Sequence, residues 1–494
     1  MAKVSFTTIV LLIAASGCRT AGPSGQGSSV SVQSLPSPAQ AAIADLAPSS
    51  AGIQLASSAQ DAPTAAVSIP VTTLRPTHAL SLQNTISTAL AQNPNLVALR
   101  QTEHVGSAAY GVAQIYPFNP LIQVQATPYQ DNSQSGPGTT YHYVLLMQRI
   151  QLAHQQQYRE DAGAASLNGI RWNVHQAELQ TLSTTLQFYF TLLYRRGLLE
   201  VAQASHANNQ QLLEVLSKRF DAGDASAADV ATVRIDTSAT QQQLQLANAN
   251  YLAGQRDLLR QLGLPTNLSC EFTGDLTALR WNLPTQNSGD DVTQTSEVSG
   301  MPLANPVSDE WVKSWAPSRP DVLNAHANID LARANLSLAS ANRVPDVQLG
   351  PYYQRTADST TFVGFRAEMN IPVIDSGKPM ERQRSAEYRQ QVTVWRQALL
   401  RAELEGQAAF ERYALALQSI AIVSNDQSAE LPAALQSLEN QFRSGEVDVI
   451  RVIQARTSML QNQRARLDLV NEIAQSAAQL VGSTGMPLEL LVIE

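Results

Sequence analysis

The chain has 494 residues, a formal net charge of −8 and only 15% charged residues. This mild acidity, without any run of lysine or arginine, argues against nucleic acid as a partner. By length alone the chain would divide into roughly three domains, but the internal repeat described below replaces that expectation.

The chain begins with a segment typical of a secretory signal. Lys3 precedes an apolar run, Val4 to Ala15, that is too short to span a bilayer comfortably. Small residues stand directly before Cys18, as in bacterial lipoprotein signals, in which that cysteine is acylated. We therefore predict a lipoprotein-type signal over residues 1–18 with Cys18 as the lipidation site, and Arg19 favours the outer membrane. Plain secretion is the alternative, because such signals usually carry leucine where Ala15 stands.

A linker and a helix precede the first strands. Residues 19–78 are rich in Ser, Ala, Gln, Gly and Pro and show no periodicity, so we interpret them as a low-complexity linker. Apolar residues at helical spacing then predict a helix from Leu80 to Gln114, with a break at Pro94. Over about 121–150 the period changes to two around a Gly/Pro/Asn-rich tip, which predicts a β-hairpin.

A long helical hairpin follows over about 151–263. Its apolar residues recur in steps of three and four, which places a stripe along one face of each helix. Between the helices, Gly223 can adopt the positive φ that ends one helix, and Ser226 can cap the next. At 1.5 Å per residue the first helix would reach on the order of 80 to 100 Å. Residues 79–268 thus form one unit of helix, β-hairpin and long helical hairpin.

The whole series then occurs a second time. Phe442 follows Phe220 by 222 residues and Pro345 follows Pro120 by 225, so two distant anchors share nearly one offset. The fold class is therefore mixed α and β with a duplicated unit. The remaining segments are a polar connector (269–316), the second unit (317–487) with a β-hairpin at about 346–372 and a helical hairpin at about 379–482, and a tail (488–494).

The strands predict a membrane barrel that several chains share. Four strands cannot close a barrel, and an open sheet edge in lipid leaves backbone groups unpaired. A water-filled lumen needs more than about eight strands, so three chains with about twelve strands are the smallest assembly that leaves a channel. The polar positions expected to face the lumen are Gln123, Gln125, Thr127, Arg366, Glu368 and Asn370. The apolar positions expected to face lipid are Ile122, Val124, Ala126, Tyr141, Tyr143, Leu145 and Met147, with Val363, Phe365, Ala367, Met369 and Ile371 in the second unit.

Two simpler interpretations stand beside this one. A soluble β-sandwich with one wet face would account for the strands, but it gives the long helices no role. An ordinary coiled coil would account for the helices, but it leaves the strands unexplained. The seams of the helices use Ala, Gly and Thr beside Leu and Val, and such small residues allow the close side-by-side packing of a wide tube.

In this order, the features resemble the TolC-type outer-membrane efflux proteins, the exit ducts of tripartite export systems. The resemblance covers roughly Leu80 to Pro487, and its motifs are the paired Phe-x-x-Gly turns, the strand pairs, Asn93-Pro94 with Arg319-Pro320, and Asp375-Ser376-Gly377. It implies a homotrimer with a shared twelve-stranded transmembrane β-barrel in outer-membrane lipid and a long periplasmic α-helical barrel. It also implies a periplasmic adaptor at the helical tips and, through it, an inner-membrane pump.

Carried onto this chain, the resemblance places periplasmic tips at residues 219–229 and 441–451. Asp229, Arg451 and Gln454 are expected at the pore entrance. Family members often carry an acidic residue just inside the second turn, whereas this chain has Arg451, so we expect a mixed entrance in which Asp229 and Arg451 pair across neighbouring hairpins. The residues expected to contact the adaptor are Phe220, Asp221, Gly223, Asp224, Ser226, Phe442, Ser444, Gly445, Glu446 and Asp448.

Enzymatic chemistry finds little support in the sequence. The seven histidines are scattered without zinc-ligand spacing, and neither a Gly-rich phosphate loop after a strand nor Gly-x-Ser-x-Gly occurs. We predict no catalytic residues, no metal and no cofactor. Two alternatives to an efflux duct stay open: a periplasmic adaptor or coiled-coil scaffold lipoprotein, and a type I secretion duct for polypeptides.

Overall fold

The computed structural model describes most of the chain after the linker. The described residues are 79–130, 139–268, 270–283, 314–356, 358–374, 376–424, 431–444 and 446–493. The predicted signal with Cys18, the linker over residues 19–78, and Asp375 and Gly445 lie outside the described residues.

The first half of the described chain holds short elements, a β-hairpin and two long helices. In order, these are β1 (Ala79–Leu80), α1 (Leu82–Gln92), α2 (Pro94–Gln114), β2 (Leu121–Gln130), β3 (Thr139–Ile150), α3 (Gln155–Asp221) and α4 (Ala227–Gln261). With 67 residues, α3 is about 100 Å long. The strands and the long helices therefore lie where the change of period from two to 3.6 predicted them.

The second half repeats this order after two short strands. In order, these elements are β4 (Glu271–Phe272), β5 (Arg280–Trp281), a 3₁₀ turn (Ala316–Ser318), α5 (Pro320–Ala341), β6 (Val347–Arg355), β7 (Thr361–Met369), α6 (Lys378–Ser424), α7 (Leu431–Ser444), α8 (Val449–Thr484), a second 3₁₀ turn (Leu488–Leu490) and β8 (Val492–Ile493). The first helix of the second helical hairpin is thus described in two pieces, α6 and α7. Residues 425–430 between them lie outside the described residues.

The two β-hairpins join into one four-stranded sheet. Its order is β2-β3-β6-β7, and every neighbouring pair is antiparallel. The central pair, β3 and β6, joins the first unit to the second, with Leu145 opposite Tyr352. Among the described residues β2 and β7 each pair with one strand, so they form the two edges of the sheet.

The connector and the tail, which showed no pattern in the sequence, contribute to the core. Strand β4 pairs in parallel with β1, and β5 pairs antiparallel with β8. Phe272 of the connector is 2% exposed and Leu491 of the tail is fully buried. The hydroxyl of Tyr413 in α6 donates to the carbonyl of Asn282 at 2.8 Å, and burial raises the pKa of Tyr413. The two segments therefore fasten α6 to the rest of the chain.

The main core lies where helices of both units meet these short strands. Leu186 and Phe190 of α3, Leu258 of α4, Tyr413 of α6 and Ile473 of α8 are all fully buried there. Burial of side chains of this size stabilises the fold by about 1.5–3 kcal/mol each. The core thus binds the long helices together at one level and leaves their far ends to smaller contacts.

Small residues bring α8 close to α3. A Cβ atom added at Gly482 would lie 2.5 Å from the hydroxyl oxygen of Ser183, so this position requires glycine. The same hydroxyl donates to the carbonyl oxygen of Ala478 at 2.8 Å. Small residues in the seam therefore permit the close side-by-side packing that the sequence predicted.

The long helices lie side by side in a fixed lateral order. On the side of the turns the order is α4, α3, α8 and α6, and on the side of the sheet it is α2, α3, α5 and α6. Within the described ranges α3 is therefore flanked on both sides, whereas α2, α4 and α6 are outermost. None of the described helices is both long and apolar enough to cross a membrane.

Candidate functional site

The first turn between long helices is a compact reversal at Gly223. Helix α3 ends at Asp221, and Gly223 has a φ of +86°. This left-handed conformation lets the N–H groups of Gly223 and Asp224 bond back to the carbonyls of Phe220 and Arg219, at 2.9 and 2.8 Å. Phe220, Asp221, Gly223 and Asp224 are exposed, so this turn presents a mostly polar surface.

A reciprocal cap begins the next helix. The Ser226 hydroxyl oxygen accepts a hydrogen bond from the N–H of Asp229 at 3.2 Å, and the Asp229 carboxylate accepts from the N–H of Ser226 at 3.3 Å. The Ser226 hydroxyl also donates to this carboxylate, at 2.7 Å. This capping box satisfies two N–H groups that the helix would otherwise leave unpaired.

The second turn lacks this reciprocal cap. The N–H of Glu446 and the hydroxyl of Ser444 both donate to the carbonyl of Gln441, each at 2.9 Å. Asp448 stands at the N-cap of α8 but makes no side-chain capping hydrogen bond. Arg451 occupies the position equivalent to Asp229 and has no acceptor to offer the N-cap. Ser444, Glu446 and Asp448 are exposed.

The two turns contact each other through Arg219. Its guanidinium donates to the carbonyl of Phe442 at 3.0 Å and lies 5.3 Å from the centre of the Phe442 ring. Phe442 is 5% exposed, whereas Phe220, its counterpart in the first turn, is 45% exposed. The expectation that Phe442 is available to a partner is therefore not met, because its ring fills a small core at the tips. The other buried members of that core are Leu212, Leu216, Val233, Val449 and Val452.

The residues predicted for the pore entrance lie in the first turns of α4 and α8. Arg451 and Gln454 are exposed and Asp229 is half-buried. Within the described part of one chain, no ion pair joins Asp229 to Arg451, because the Asp229 carboxylate binds Ser226 instead. A contact between these two side chains therefore stays a prediction for separate copies of the chain.

Polar contacts also fasten α3 to α8 above the tips. The Arg456 guanidinium donates to the carbonyl of Asn208 at 2.9 Å and pairs with Glu439 of α7 at 2.7 Å. Further up, the hydroxyl of Tyr194 donates to the Asp468 carboxylate. Burial, together with that carboxylate, raises the pKa of Tyr194 to about 12. These contacts thus fix the position of α8, in the second unit, along α3, in the first unit.

The strand register decides which side chains share a face of the sheet. Gln123 lies opposite Leu145, which lies opposite Tyr352, and Gln348 lies opposite Glu368. Side chains directly opposite one another project from the same face. One face, here called the polar face, carries Gln123, Gln125, Thr127, Tyr141, Tyr143, Leu145, Met147, Arg149, Gln348, Tyr352, Gln354, Arg366 and Glu368, with the apolar Leu121 and Phe362 at its edges. The other, the apolar face, carries Ile122, Val124, Val144, Leu146, Leu349, Tyr353, Val363 and Phe365, with His142 and Arg355 toward one end and Gln148 toward the other.

This register corrects the prediction for β3. Tyr141, Tyr143, Leu145 and Met147 were expected on the same side as Ile122, but they lie on the polar face. Alternation fixes the two sides of one strand, whereas the match between strands depends on their register, which the sequence did not give. Of the six polar positions predicted to face a lumen, the five within the strands lie on this polar face, and Asn370 follows directly after β7. That this face lines a lumen stays a prediction.

The two faces differ in crowding on the central strands. On the polar face Leu145 and Met147 are each 3% exposed, whereas Leu146 between them, on the apolar face, is 41% exposed. Side chains crowd together on the concave side of a curved sheet and spread apart on its convex side. The exposures are therefore those expected if the polar face is concave.

Two matching anchors hold the short helices to the ends of the long ones. In the first unit the side-chain amide of Asn93 donates to the carbonyl of Gln261 at 2.8 Å. In the second, the guanidinium of Arg319 donates to the carbonyl of Ser483 at 2.9 Å. Gln261 and Ser483 are 222 residues apart, the same offset that separates the two turns. The duplication therefore extends to individual tertiary hydrogen bonds.

Arg319 carries an additional ion-pair network. Its buried guanidinium binds Asp321 at 2.7 Å and Glu405 of α6 at 3.0 Å. Burial alone lowers the pKa of Arg319, but the hydrogen bonds and charges of Asp321 and Glu405 raise it in net terms. Arg319 thus joins α5, α6 and α8. Sequence analysis found the Arg319-Pro320 motif but not this role.

Within the described ranges, no group of three or more His, Cys, Asp or Glu side chains lies close enough together to hold a metal ion. Cys270 is half-buried, and burial raises the pKa of its thiol, which keeps the sulfur in its less reactive protonated form.

A four-stranded sheet with one apolar face, followed by helices of 35 to 67 residues laid side by side, is the architecture of solved outer-membrane channels. This chain is similar to the outer-membrane channel OprN, with a TM-score of 0.62 and 15% sequence identity. The similarity covers 83% of this chain and 90% of that chain. The MtrE channel of Neisseria gonorrhoeae in its open state has a TM-score of 0.60 and 16% identity, with 82% and 89% covered. These comparisons concern the fold.

A sequence comparison identifies the family. The profile described as outer membrane efflux protein matches residues 85–264 and 311–486. The chain therefore belongs to the outer membrane efflux protein family, which confirms the resemblance seen in the sequence. The pyoverdine export outer membrane protein OpmQ of Pseudomonas putida is 25% identical over 325 residues, which span 63% of this chain and 63% of that relative.

Proposed function

We propose that this protein is the outer-membrane exit duct of a tripartite efflux system. In this function it assembles as a homotrimer and passively conducts substrates that an inner-membrane pump and a periplasmic adaptor deliver. One observation carries the proposal: each layer of the chain ends at two outer edges that a further copy would cover.

In the sheet, the outer edges are the unpaired sides of β2 and β7. Backbone groups at such an edge cost several kcal/mol each in lipid, so a four-stranded sheet in a membrane must find another strand. Pairing β7 of one copy with β2 of the next joins the sheets head to tail. Three copies then close a barrel of about twelve strands, the smallest with a water-filled lumen.

In the helical layer, the outermost helices carry exposed apolar side chains. Val105 and Val112 on α2 are 70% and 66% exposed and lie seven residues apart, on one face. On α6, the outermost helix of the opposite side, Leu404 and Leu415 are 57% and 63% exposed. They lie eleven residues apart, again on one face. The same head-to-tail arrangement would bury both sets, which supports one closure for the sheet and the helices.

The two faces of the sheet then acquire different solvents. The crowded polar face lines the lumen with Gln123, Gln125, Thr127, Arg366, Glu368 and Asn370. The apolar face meets lipid through side chains such as Val363 and Phe365, which are 79% and 80% exposed in the single chain. Charged and amide groups in a lumen keep their contact with water, whereas removing apolar groups from water into lipid is favourable.

The helical tips form the proposed contact surface for the adaptor. This surface consists of Phe220, Asp221, Gly223, Asp224, Ser226, Ser444, Gly445, Glu446 and Asp448. The buried Phe442 instead supports it from within. Asp229, Arg451 and Gln454 lie at the pore entrance, where Arg451 of one copy meets Asp229 of another. Acylation of Cys18, the predicted lipidation site, would add a lipid anchor.

The experiment is single-channel conductance of the detergent-purified protein in a planar bilayer, together with its native mass. We expect a trimeric mass and ion-conducting steps. Reversal of charge in Arg451→Glu should change conductance or closure, with Arg234→Glu, higher on α4, as the control. A soluble monomer without conductance would overturn the duct and favour the adaptor or scaffold function.

A further inference from the structure

A cation and two tyrosines form a cluster on the polar face of the sheet. Arg366 of β7 lies opposite Gly350 of β6, and Tyr352 lies two residues further along β6. On β3, Tyr143 completes the group, since its hydroxyl oxygen lies 3.4 Å from Arg366 Nη1. The sequence had predicted that Tyr143 faces lipid, and no role was predicted for Tyr352.

The rings of Tyr143 and Tyr352 lie beside each other and form an aromatic surface, here called the tyrosine floor. The centres of the Tyr143 and Tyr352 rings are 6.3 Å apart and the rings are tilted by 31°. A Cβ atom added at Gly364 would lie 2.8 Å from Cε1 of Tyr352, so the ring rests directly on the β7 backbone. Only glycine leaves room for this contact. The backbone of the neighbouring strand β7 thus fixes the orientation of the Tyr352 ring.

The guanidinium of Arg366 has hydrogen-bonding capacity to spare. Among the described contacts it approaches Tyr143 Oη at 3.4 Å and Glu368 Oε2 at 3.5 Å, and both distances are long for such bonds. A guanidinium has five N–H donors in a planar fork. Its side chain is 50% exposed, so part of the guanidinium is accessible to a ligand beside the tyrosine floor.

The charge on this face is net positive. Its charged strand residues are Arg149, Arg366 and Glu368, which give each chain one positive charge in excess. Arg149 lies at one end, with its guanidinium 4.5 Å from the centre of the Phe118 ring. Arg366 is therefore the cation beside the tyrosine floor, and in a trimer it would occur three times around the lumen.

We propose that Arg366, Tyr143 and Tyr352 form a subsite in the lumen that binds planar aromatic anions, such as aryl carboxylates. The ring of the anion packs on the tyrosines, and its carboxylate accepts two parallel hydrogen bonds from the guanidinium. A carboxylate without a ring loses the first contact, and a ring without charge loses the second. The subsite rests on the proposed function, because that function places this face in water rather than lipid.

The test uses the fluorescent probe 2-naphthoate and the purified protein whose mass and conductance have been measured. Fluorescence anisotropy gives the dissociation constant for the wild type, and cyclohexanecarboxylate and 2-naphthylmethanol serve as competitors lacking the ring or the charge. Arg366→Gln should weaken binding about tenfold or more, because a charge-assisted hydrogen bond is worth about 1.5–3 kcal/mol. Tyr143→Phe, which keeps the ring, should have a smaller effect. Arg355→Gln, which removes an arginine from the apolar face, is the matched control.

The outcomes separate the subsite from the duct. Loss of naphthoate binding in Arg366→Gln but not in Arg355→Gln, with trimer mass and conductance intact, supports the subsite. Equal binding by the wild type and Arg366→Gln, or competition by either competitor as strong as by naphthoate itself, overturns the subsite and leaves the duct standing. A wild-type protein that forms no conducting trimer overturns the duct and the subsite together.

Discussion

Ser226 and Asp448 stand at equivalent positions, 222 residues apart, yet they begin their helices differently. Ser226 exchanges hydrogen bonds with Asp229, whereas the residue three positions after Asp448 is Arg451, whose side chain can only donate. A cation in the first turn also opposes the positive end of the helix dipole. The first tip is therefore held by its own cap, and the second depends more on the small core around Phe442.

The first prediction concerns this cap. Ser226→Ala should destabilise the start of α4 by about 1 kcal/mol, because the N–H of Asp229 loses its acceptor, the Ser226 hydroxyl oxygen. Amide hydrogen exchange should quicken about fivefold in the first turn of α4 and stay unchanged in α8. Ser226→Asp keeps a capping oxygen and should exchange like the wild type. Equal protection in the alanine and wild-type proteins would show that the cap does not hold this tip.

The position of each turn could be predicted from sequence, but its packing could not. Gly223 marks the first reversal because few other residues adopt its positive φ. Nothing local distinguishes Phe220 from Phe442, although one is exposed and the other is buried. The difference arises because Arg219 and Val449, distant in sequence from each other, close over Phe442.

Among the elements, α5 depends on the buried Arg319. Asp321→Asn should lower the free energy of unfolding by about 1–3 kcal/mol, because the buried guanidinium loses its closest charged partner. Glu405→Gln should lower the free energy of unfolding by less than about 1 kcal/mol. The Glu405 carboxylate is half exposed, so water screens its ion pair with Arg319. Thermal unfolding would give this order. Arg412→Gln, which breaks an exposed pair with Glu472, is the control and should resemble Glu405→Gln.

A second pair of elements, α2 and α3, should show a pH dependence. Burial raises the pKa of Glu178, but hydrogen bonds with Arg100 and His175 lower it in net terms below its usual range. A carboxyl with a lowered pKa stabilises the fold above its unfolded pKa, about 4.3, and this contribution disappears as pH falls through the lower folded value. The melting temperature of Glu178→Gln should therefore lie below that of the wild type at pH 6, and the gap should narrow toward pH 3. A constant gap would contradict this assignment.

Sequence periodicity predicted elements better than the contacts between them. The strands of both hairpins follow from alternation, and the 67 residues of α3 follow from a long repeat in steps of three and four. The connector strands β4 and β5 have two residues each, too few for any period to appear. Their place in the core depends on pairing with β1 and β8, which lie at the two ends of the described residues.

On the scale of the whole molecule, both layers of the described chain end at edges that the proposed trimer would cover. Its sheet ends at β2 and β7, and its helical layer ends at α2 and α4 on one side and α6 on the other. Helix α2 leads into β2, and β7 leads into α6. The outer edges of both layers are therefore covalently continuous, so closure of one layer brings the other into position. The sequence predicted that several chains share one barrel, because four strands are too few to close a barrel.

The last prediction uses two successive residues on opposite faces. Phe365, the middle residue of β7, is 80% exposed on the apolar face, and Arg366 next to it lies on the polar face. Phe365→Lys should weaken insertion by about 2–4 kcal/mol, the cost of a lysine at the lipid midplane of a barrel. Arg366→Lys changes the next residue but keeps its charge in water, so it should insert like the wild type. Folding into vesicles, followed by the shift in gel mobility between folded and heated protein, measures both. Equal folding of the two variants would place Phe365 away from lipid and remove the assignment of the two faces.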